Sequence, residues 1–179
     1  MKTLKNIGAF LADIAILLGV LLILTQFVVT IGSVSGESME TSLIEGQKLV
    51  VDRLTYRFSE PKRFDIVVVK FPDANEVWIK RVIGLPGEKV EHLGGKLFIN
   101  GKFVEEDFLG PETKTQIFRS NTLYPGTNGV IPEGEYIVMG DNRDVSDDSR
   151  NIKNGILTKN DILGSVRLSI YPFDRFGLL

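Results

Sequence analysis

The sequence predicts a mainly β protein: an antiparallel β-sheet domain with a small inserted β lobe, preceded by one N-terminal transmembrane helix. Three observations predict it. A long apolar segment fills residues 7–31. The rest of the chain carries short Val/Ile/Phe-rich runs broken by Gly, Pro and Asn, rather than apolar residues sustained at helical spacing. Two dipeptides, Gly94-Gly95 and Asn100-Gly101, stand where tight hairpin turns need positive φ.

Within the apolar segment the unbroken part, Ile14 to Ile31, gives about 27 Å of helix, close to the hydrocarbon thickness of a bilayer. Asp13 is tolerable at the headgroup boundary, whereas Thr25 and Gln26 lie deeper and must turn toward backbone or another helix. Lys2 and Lys5 precede the segment and Glu37, Glu40 and Glu45 follow it. This basic flank predicts a single-pass protein of the cell membrane, with residues 1–6 cytoplasmic and the remainder extracellular. A removable signal peptide would need a small-residue exit, which Phe27-Val28-Val29-Thr30-Ile31 does not offer. A buried core helix is disfavoured because such helices rarely stay apolar all round for this length.

About 145 residues follow, enough for one ordinary domain with a small inserted lobe. The expected strands are Lys48 to Asp52, Phe64 to Phe71, Val77 to Gly84, Lys89 to Leu93, Lys96 to Asn100, Glu135 to Met139 and Gly164 to Tyr171. Residues 32–88 and 133–179 are assigned to the main β domain and 89–132 to the inserted lobe, whose Gly110 to Pro132 part is poorer in pattern. The formal net charge is −2 with dispersed basic residues, so no nucleic-acid partner is expected. The absence of cysteine excludes disulfides, thiol catalysis and Cys-ligated metals.

The chemistry starts at Ser38, in Val34-Ser35-Gly36-Glu37-Ser38-Met39, a few residues beyond the apolar segment. A nucleophilic serine needs a base. The single histidine, His92, sits beside the Gly94-Gly95 turn, where an exposed, structural or incidental role is expected, so a His-dependent triad is not. Gly36-Glu37-Ser38-Met39-Glu40 lacks the second glycine of the hydrolase elbow, and Ser38-Met39-Glu40-Thr41 lacks the lysine of the penicillin-binding pattern. Lys80 is the alternative base, in the apolar run Val77-Trp78-Ile79-Lys80-Arg81-Val82-Ile83. Period-two geometry sends Lys80 to one face with Trp78 and Val82 and Arg81 to the other, and only one of the two cations need be buried. Burial would favour the neutral amine, but from the strand alone a snorkelling lysine on a strand edge is the favoured reading. The acidic block from Asp141 to Arg150 reads by itself as a solvated turn. It fails as a calcium loop, with Ser149 at the glycine position and Gly155 at the bidentate glutamate position, so neither metal nor cofactor is expected.

Four blocks in order change the weighing: Ser35-Gly36-Glu37-Ser38-Met39-Glu40-Thr41-Ser42-Leu43, Arg63-Phe64-Asp65-Ile66-Val67-Val68, Lys80-Arg81-Val82-Ile83-Gly84-Leu85-Pro86-Gly87-Glu88, and Gly140-Asp141-Asn142-Arg143-Asp144-Val145-Ser146-Asp147-Asp148-Ser149-Arg150. In these the chain resembles type I signal peptidases, membrane-bound proteases with a serine and lysine dyad, in the short form common in Gram-positive bacteria. The resemblance implies Ser38 as nucleophile and Lys80 as general base. It implies Ser146 as the serine that orients the lysine amine and Asp148 with Arg150 as an ion pair supporting that loop; Asp141 and Asp144 are assigned to the same polar support. Val34, Met39, Leu43, Trp78 and Ile79 are candidate walls of a substrate pocket, or ordinary core. The implied partners are signal peptides of exported preproteins, with small residues at −1 and −3, and membrane lipid. Thr41-Ser42 stands where Pro-Thr is usual and Val145 where Asn is frequent. Gly36 stands where some relatives carry a serine that donates to the oxyanion.

The competing readings are a non-catalytic peptidase-like assembly factor of surface proteins, which would have lost the dyad, and a self-cleaving repressor, which would carry a DNA-binding segment where the apolar segment stands. A purely structural membrane protein would need no lysine opposite a serine.

Overall fold

The structure, a computed structural model, describes residues 2–23, 28–74, 76–110 and 113–179, with the backbone alone for residues 2–6, 8, 9 and 23. The N-terminal apolar residues form α1, Lys2–Ile23. Its described large apolar side chains, Phe10, Leu11, Ile16, Leu17 and Leu22 among them, are exposed. No helix among the described residues is long and apolar enough to cross a membrane, so the expected spanning helix over 7–31 is not seen among them. The far end of the expected helix differs from that expectation, because Val29–Ser33 is a strand, β1. A short apolar, β-branched run satisfies either element, and a partner strand decides here. Thr25 and Gln26 lie outside the described residues.

The chain continues through β2 (Lys48–Asp52), a one-turn helix α2 (Thr55–Phe58), β3 (Ile66–Val69), β4 (Trp78–Gly84), β5 (Val90–Leu93), β6 (Lys96–Ile99), β7 (Lys102–Val104), β8 (Phe118–Arg119), β9 (Glu135–Met139), β10 (Leu157–Thr158), β11 (Ile162–Tyr171) and β12 (Gly177–Leu178). Among the described residues β1-β2-β11-β3-β4-β9-β10 form the large sheet in that order, with β12 added to β11, and β7-β6-β5-β8 form a smaller one. Each pairing is antiparallel. The two predicted turns close β5 on β6 and β6 on β7. Gly94 and Gly95 take φ 59° and 75°, and Asn100 and Gly101 take φ 53° and 77°, the left-handed pair that a primed turn requires.

The core falls into three clusters. Val67, Val69, Phe71, Val82, Tyr136 and Val138 fill one side of the large sheet. Ile83, Val90, Leu97, Ile99, Phe118, Ile137 and Met139 join the large sheet to the small one. Between them Gly84 ends β4, where a Cβ would meet Ile131 Cδ1 at 2.6 Å and Val90 Cγ2 at 2.7 Å, so the crossing into the lobe tolerates no side chain. The third cluster, Val34, Met39, Leu43, Leu49, Val51, Ile66 and Val166, lies beneath the segment that carries Ser38.

Candidate active site

Ser38 rides on a tight turn whose neighbours are pinned in the third cluster. Ser42 and Leu43 N–H groups both donate to the Met39 carbonyl, at 2.9 and 2.7 Å, while the Met39 and Leu43 side chains are buried. The buried Gln47 holds the other end of the loop. Its amide Nε2 donates to Ser169 Oγ on β11 at 2.8 Å, and its Oε1 accepts from Ile44 N–H at 2.9 Å. Gly36 takes φ 88°, and its N–H donates to Glu45 Oε2 at 2.6 Å, so it is not free as an oxyanion donor. The Ser38 N–H donates to no group among the described residues, and the Ser38 carbonyl accepts from Asn142 N–H at 3.0 Å.

Lys80 lies mid-strand in β4, opposite Val67, and is only 3% exposed. Its Nζ donates to Ser146 Oγ at 3.1 Å and lies 5.4 Å from the centre of the Trp78 ring. No carboxylate forms an ion pair with it among the described residues. Burial pushes the amine down from 10.5 to about 8; Asp148, Asp147 and Asp141 oppose the shift and Arg150 adds to it. Ser38 and Lys80 line one cleft of about 580 Å³. The unliganded site has no hydrogen bond between Ser38 Oγ and Lys80 Nζ, as is common before substrate tightens a catalytic pair.

Behind the cleft, the loop after β9 is built from paired charges. Arg150 clasps Asp148 through Nε to Oδ1 and Nη2 to Oδ2, both at 2.8 Å, and its Nη2 and Nη1 reach the carbonyls of Ser146 and Arg143. Burial alone would raise the Asp148 pKa; hydrogen bonds and charge from Arg150, the Gly140 N–H and the Ser146 hydroxyl outweigh it and hold the carboxyl below its ordinary value. Gly140 makes this arrangement possible. A Cβ there would fall inside contact distance of Ser146 Oγ and the Ser38 carbonyl oxygen, and at 2.6 Å from Ser146 Cβ. Only a glycine lets the nucleophile's loop and the serine beside the lysine lie this close.

The structure also separates residues that the sequence reading grouped. Val34, Met39, Trp78 and Ile79 line the cleft, but Leu43 does not; it is fully buried in the third cluster. Asp141 pairs with Arg81, Nη2 to Oδ2 at 2.6 Å, and accepts from Ser42 Oγ at 2.6 Å, so it braces the turn of the nucleophile. Ser42 thus has a place in the network despite the unusual Thr41-Ser42 pair. Asp144 is exposed and makes no hydrogen bond or ion pair among the described residues, and it lines a separate hollow with Thr41 and Gly110. Val145 is exposed at the cleft.

Two expectations about burial are corrected. Arg81 is only 8% exposed, so both neighbouring cations are interior, the second because Asp141 and the Phe64 carbonyl receive its guanidinium. Phe64 takes a left-handed φ of 68°, and its carbonyl accepts from Arg81 Nη1 at 2.9 Å. His92 is fully buried rather than exposed. Its Nε2 lies 3.0 Å from Glu106 Oε2 and 2.9 Å from Arg143 Nη1, away from the cleft lining. Sequence reasoning missed Gly140, Gln47, Glu106 and the partners of Arg143; of these only Gly140 carried a signal, as the small residue opening the acidic block.

Residues 7–171 match the family model described as signal peptidase, peptidase S26. The chain belongs to this family. Among its relatives are signal peptidase IB of Staphylococcus aureus strain COL, 35% identical over 96% of this chain and 93% of that protein, and signal peptidase I P of Bacillus subtilis subsp. natto, 37% identical over 96% and 92%. A crystal structure of a signal peptidase I from Enterococcus faecalis V583 is 39% identical, with a TM-score of 0.53, covering 60% of this chain and 97% of that one. The peptidase therefore shares its fold class with a solved member of the family.

Proposed function

We propose that the peptidase removes signal peptides from exported preproteins through a serine and lysine dyad. Ser38 Oγ attacks the scissile carbonyl while neutral Lys80 takes its proton. The proton passes to the leaving amine as the acyl-enzyme forms, and Lys80 then activates the water that releases the new carboxylate. Ser146 orients the amine, and Asp148 with Arg150 holds Ser146. The Ser38 N–H receives the oxyanion, a role worth about 3 to 4 kcal/mol per donor in another protease. Val34, Met39, Trp78 and Ile79 wall the cleft against large side chains, which supports small residues at −1 and −3 of an extended substrate laid along the strand edges.

One observation carries this reading: a lysine 3% exposed, without a carboxylate partner among the described residues, in the cleft that also holds Ser38. An unpaired ammonium is costly to bury, so the group sheds its proton and becomes a base. Ser38→Ala and Lys80→Met are each expected to abolish cleavage of a signal-peptide substrate by the full chain while circular dichroism stays that of the parent. Full activity of either variant refutes the dyad.

Membrane attachment belongs to the same proposal. The exposed apolar side chains of α1 favour lipid around the N-terminal segment, with the basic Lys2 and Lys5 on the cytoplasmic side and the β domain outside the cell. Release of the full chain from membranes by carbonate alone, without detergent, refutes it.

A further inference from the structure

Arg143 heads the largest side chains that are less than 2% exposed, and its charge is buried at 1% exposure. Its Nη2 donates to Glu106 Oε1. Its Nη1 lies 3.2 Å from Glu106 Oε2, 3.2 Å from Thr115 Oγ1 and 2.9 Å from His92 Nε2. The Nε donates to the Gly140 carbonyl at 3.1 Å. Glu106, His92 and Thr115 all come from the stretch that forms the small sheet, and Glu106 itself follows β7 closely. Burial would raise the Glu106 carboxyl, but hydrogen bonds from His92 and Arg143 and the Arg143 charge hold it below its ordinary value. A buried, paired ion is a costly device, and none of these groups lines the cleft.

What the pair does hold is Gly140. Arg143 fixes its carbonyl, Asp148 Oδ2 accepts from its N–H at 3.0 Å, and the space a Cβ would take there is filled by the Ser38 carbonyl oxygen and the Ser146 side chain. The Arg143 carbonyl in turn accepts from Arg150 Nη1 at 2.8 Å. We propose that Glu106 is a positioning residue for the proteolytic centre: through Arg143 it sets the place of Gly140, and so the spacing between Ser38 and Ser146. The inference rests on the Ser38–Lys80 reading above. His92 Nδ1 has no partner among the described residues, and the ring braces the carboxylate through Nε2.

The test uses the full chain in detergent micelles with a fluorogenic signal-peptide substrate, reading kcat, KM and the pH midpoint of kcat. Glu106→Gln is expected to lower kcat about tenfold to a hundredfold, as small misplacements of reacting groups do, with KM held within about twofold. The midpoint moves to higher pH as water reaches the Lys80 amine. Should Glu106→Gln not fold, Arg143→Lys, which keeps the charge and loses the planar fork, is expected to give the same pattern. The double variant loses no more than the worse single one, because both act through one contact. A folded variant with parental kcat and midpoint overturns the proposal, and so does an additive loss in the double variant. If the parent does not cleave, or Ser38→Ala does, the proteolytic reading itself fails and this inference with it.

Discussion

The dependence of cleavage on pH tests Lys80 as base most directly. Only the neutral amine can accept the Ser38 proton. Burial lowers its pKa to about 8, so the rate rises with pH as the ammonium loses its proton and levels off above that value. The neutral fraction is then about one in eleven at pH 7 and about ten in eleven at pH 9, so kcat/KM climbs about tenfold and flattens. A lysine left at 10.5 would give a climb of about a hundredfold over the same interval and no plateau. The assay is the initial rate of signal-peptide cleavage by the full chain at constant ionic strength, with circular dichroism at each pH. A flat profile, or a hundredfold climb without a plateau, refutes the buried-base argument. Stability carries the same sign. The folded pKa lies below the unfolded one, so the unfolded chain binds more protons between about pH 8 and 10.5 and stability rises with pH through that window. Below about pH 8 the folded state must bury a charge, at a cost of about 3 kcal/mol for a shift of this size. Lys80→Met is therefore expected to be inactive and, at pH 7, more stable than the parent by up to about 3 kcal/mol in urea unfolding. A variant less stable than the parent at that pH would show that Lys80 is not the strained group inferred here.

Three further expectations follow from the packing around the dyad. Gly140→Ala forces Cβ into the Ser38 carbonyl and the Ser146 side chain, so it should cost about 1 to 3 kcal/mol in urea melts and lower kcat more than it raises KM. Ser146→Ala removes the group that receives the Lys80 amine and should lower kcat by about tenfold to a hundredfold with KM nearly unchanged, as read in steady-state kinetics. Asp141→Ala leaves the interior Arg81 without its carboxylate. It should destabilise the domain by about 3 to 5 kcal/mol, measured by denaturant unfolding at pH 7.

The parts of the fold legible in the sequence were those written in local pattern. The strand runs from Lys48, Val77 and Glu135 show, and the two hairpins are marked by glycines whose φ is positive. β1 was hidden because Val29 to Ile31 continues an apolar segment, and its identity depends on pairing with β2, fifteen to twenty-three positions on. β8, β10 and β12 have two residues each, too few for any period to register. In the site, the identities of Ser38 and Lys80 were readable from the blocks, whereas the contacts of Arg81, His92 and Arg143 were not. Their partners, Asp141 for Arg81 and Glu106 for the other two, lie 60, 14 and 37 positions away, and long-range pairing leaves no local signature.

That hidden pairing is what separates the catalytic cation from the structural ones. Among the described residues Lys80, Arg81 and Arg143 are the buried cationic side chains. Arg81 meets Asp141 and Arg143 meets Glu106, so each guanidinium stays charged and serves as a brace. Lys80 occupies the same β4 strand one residue from Arg81, yet it receives a serine hydroxyl in place of a carboxylate. A guanidinium cannot respond to that loss by deprotonating, and an ammonium can. The fold thus uses arginine wherever a buried charge must persist and lysine where it must yield. On that logic Lys80→Arg, although it conserves the charge, should be as inactive as Lys80→Met and less stable than it at pH 7.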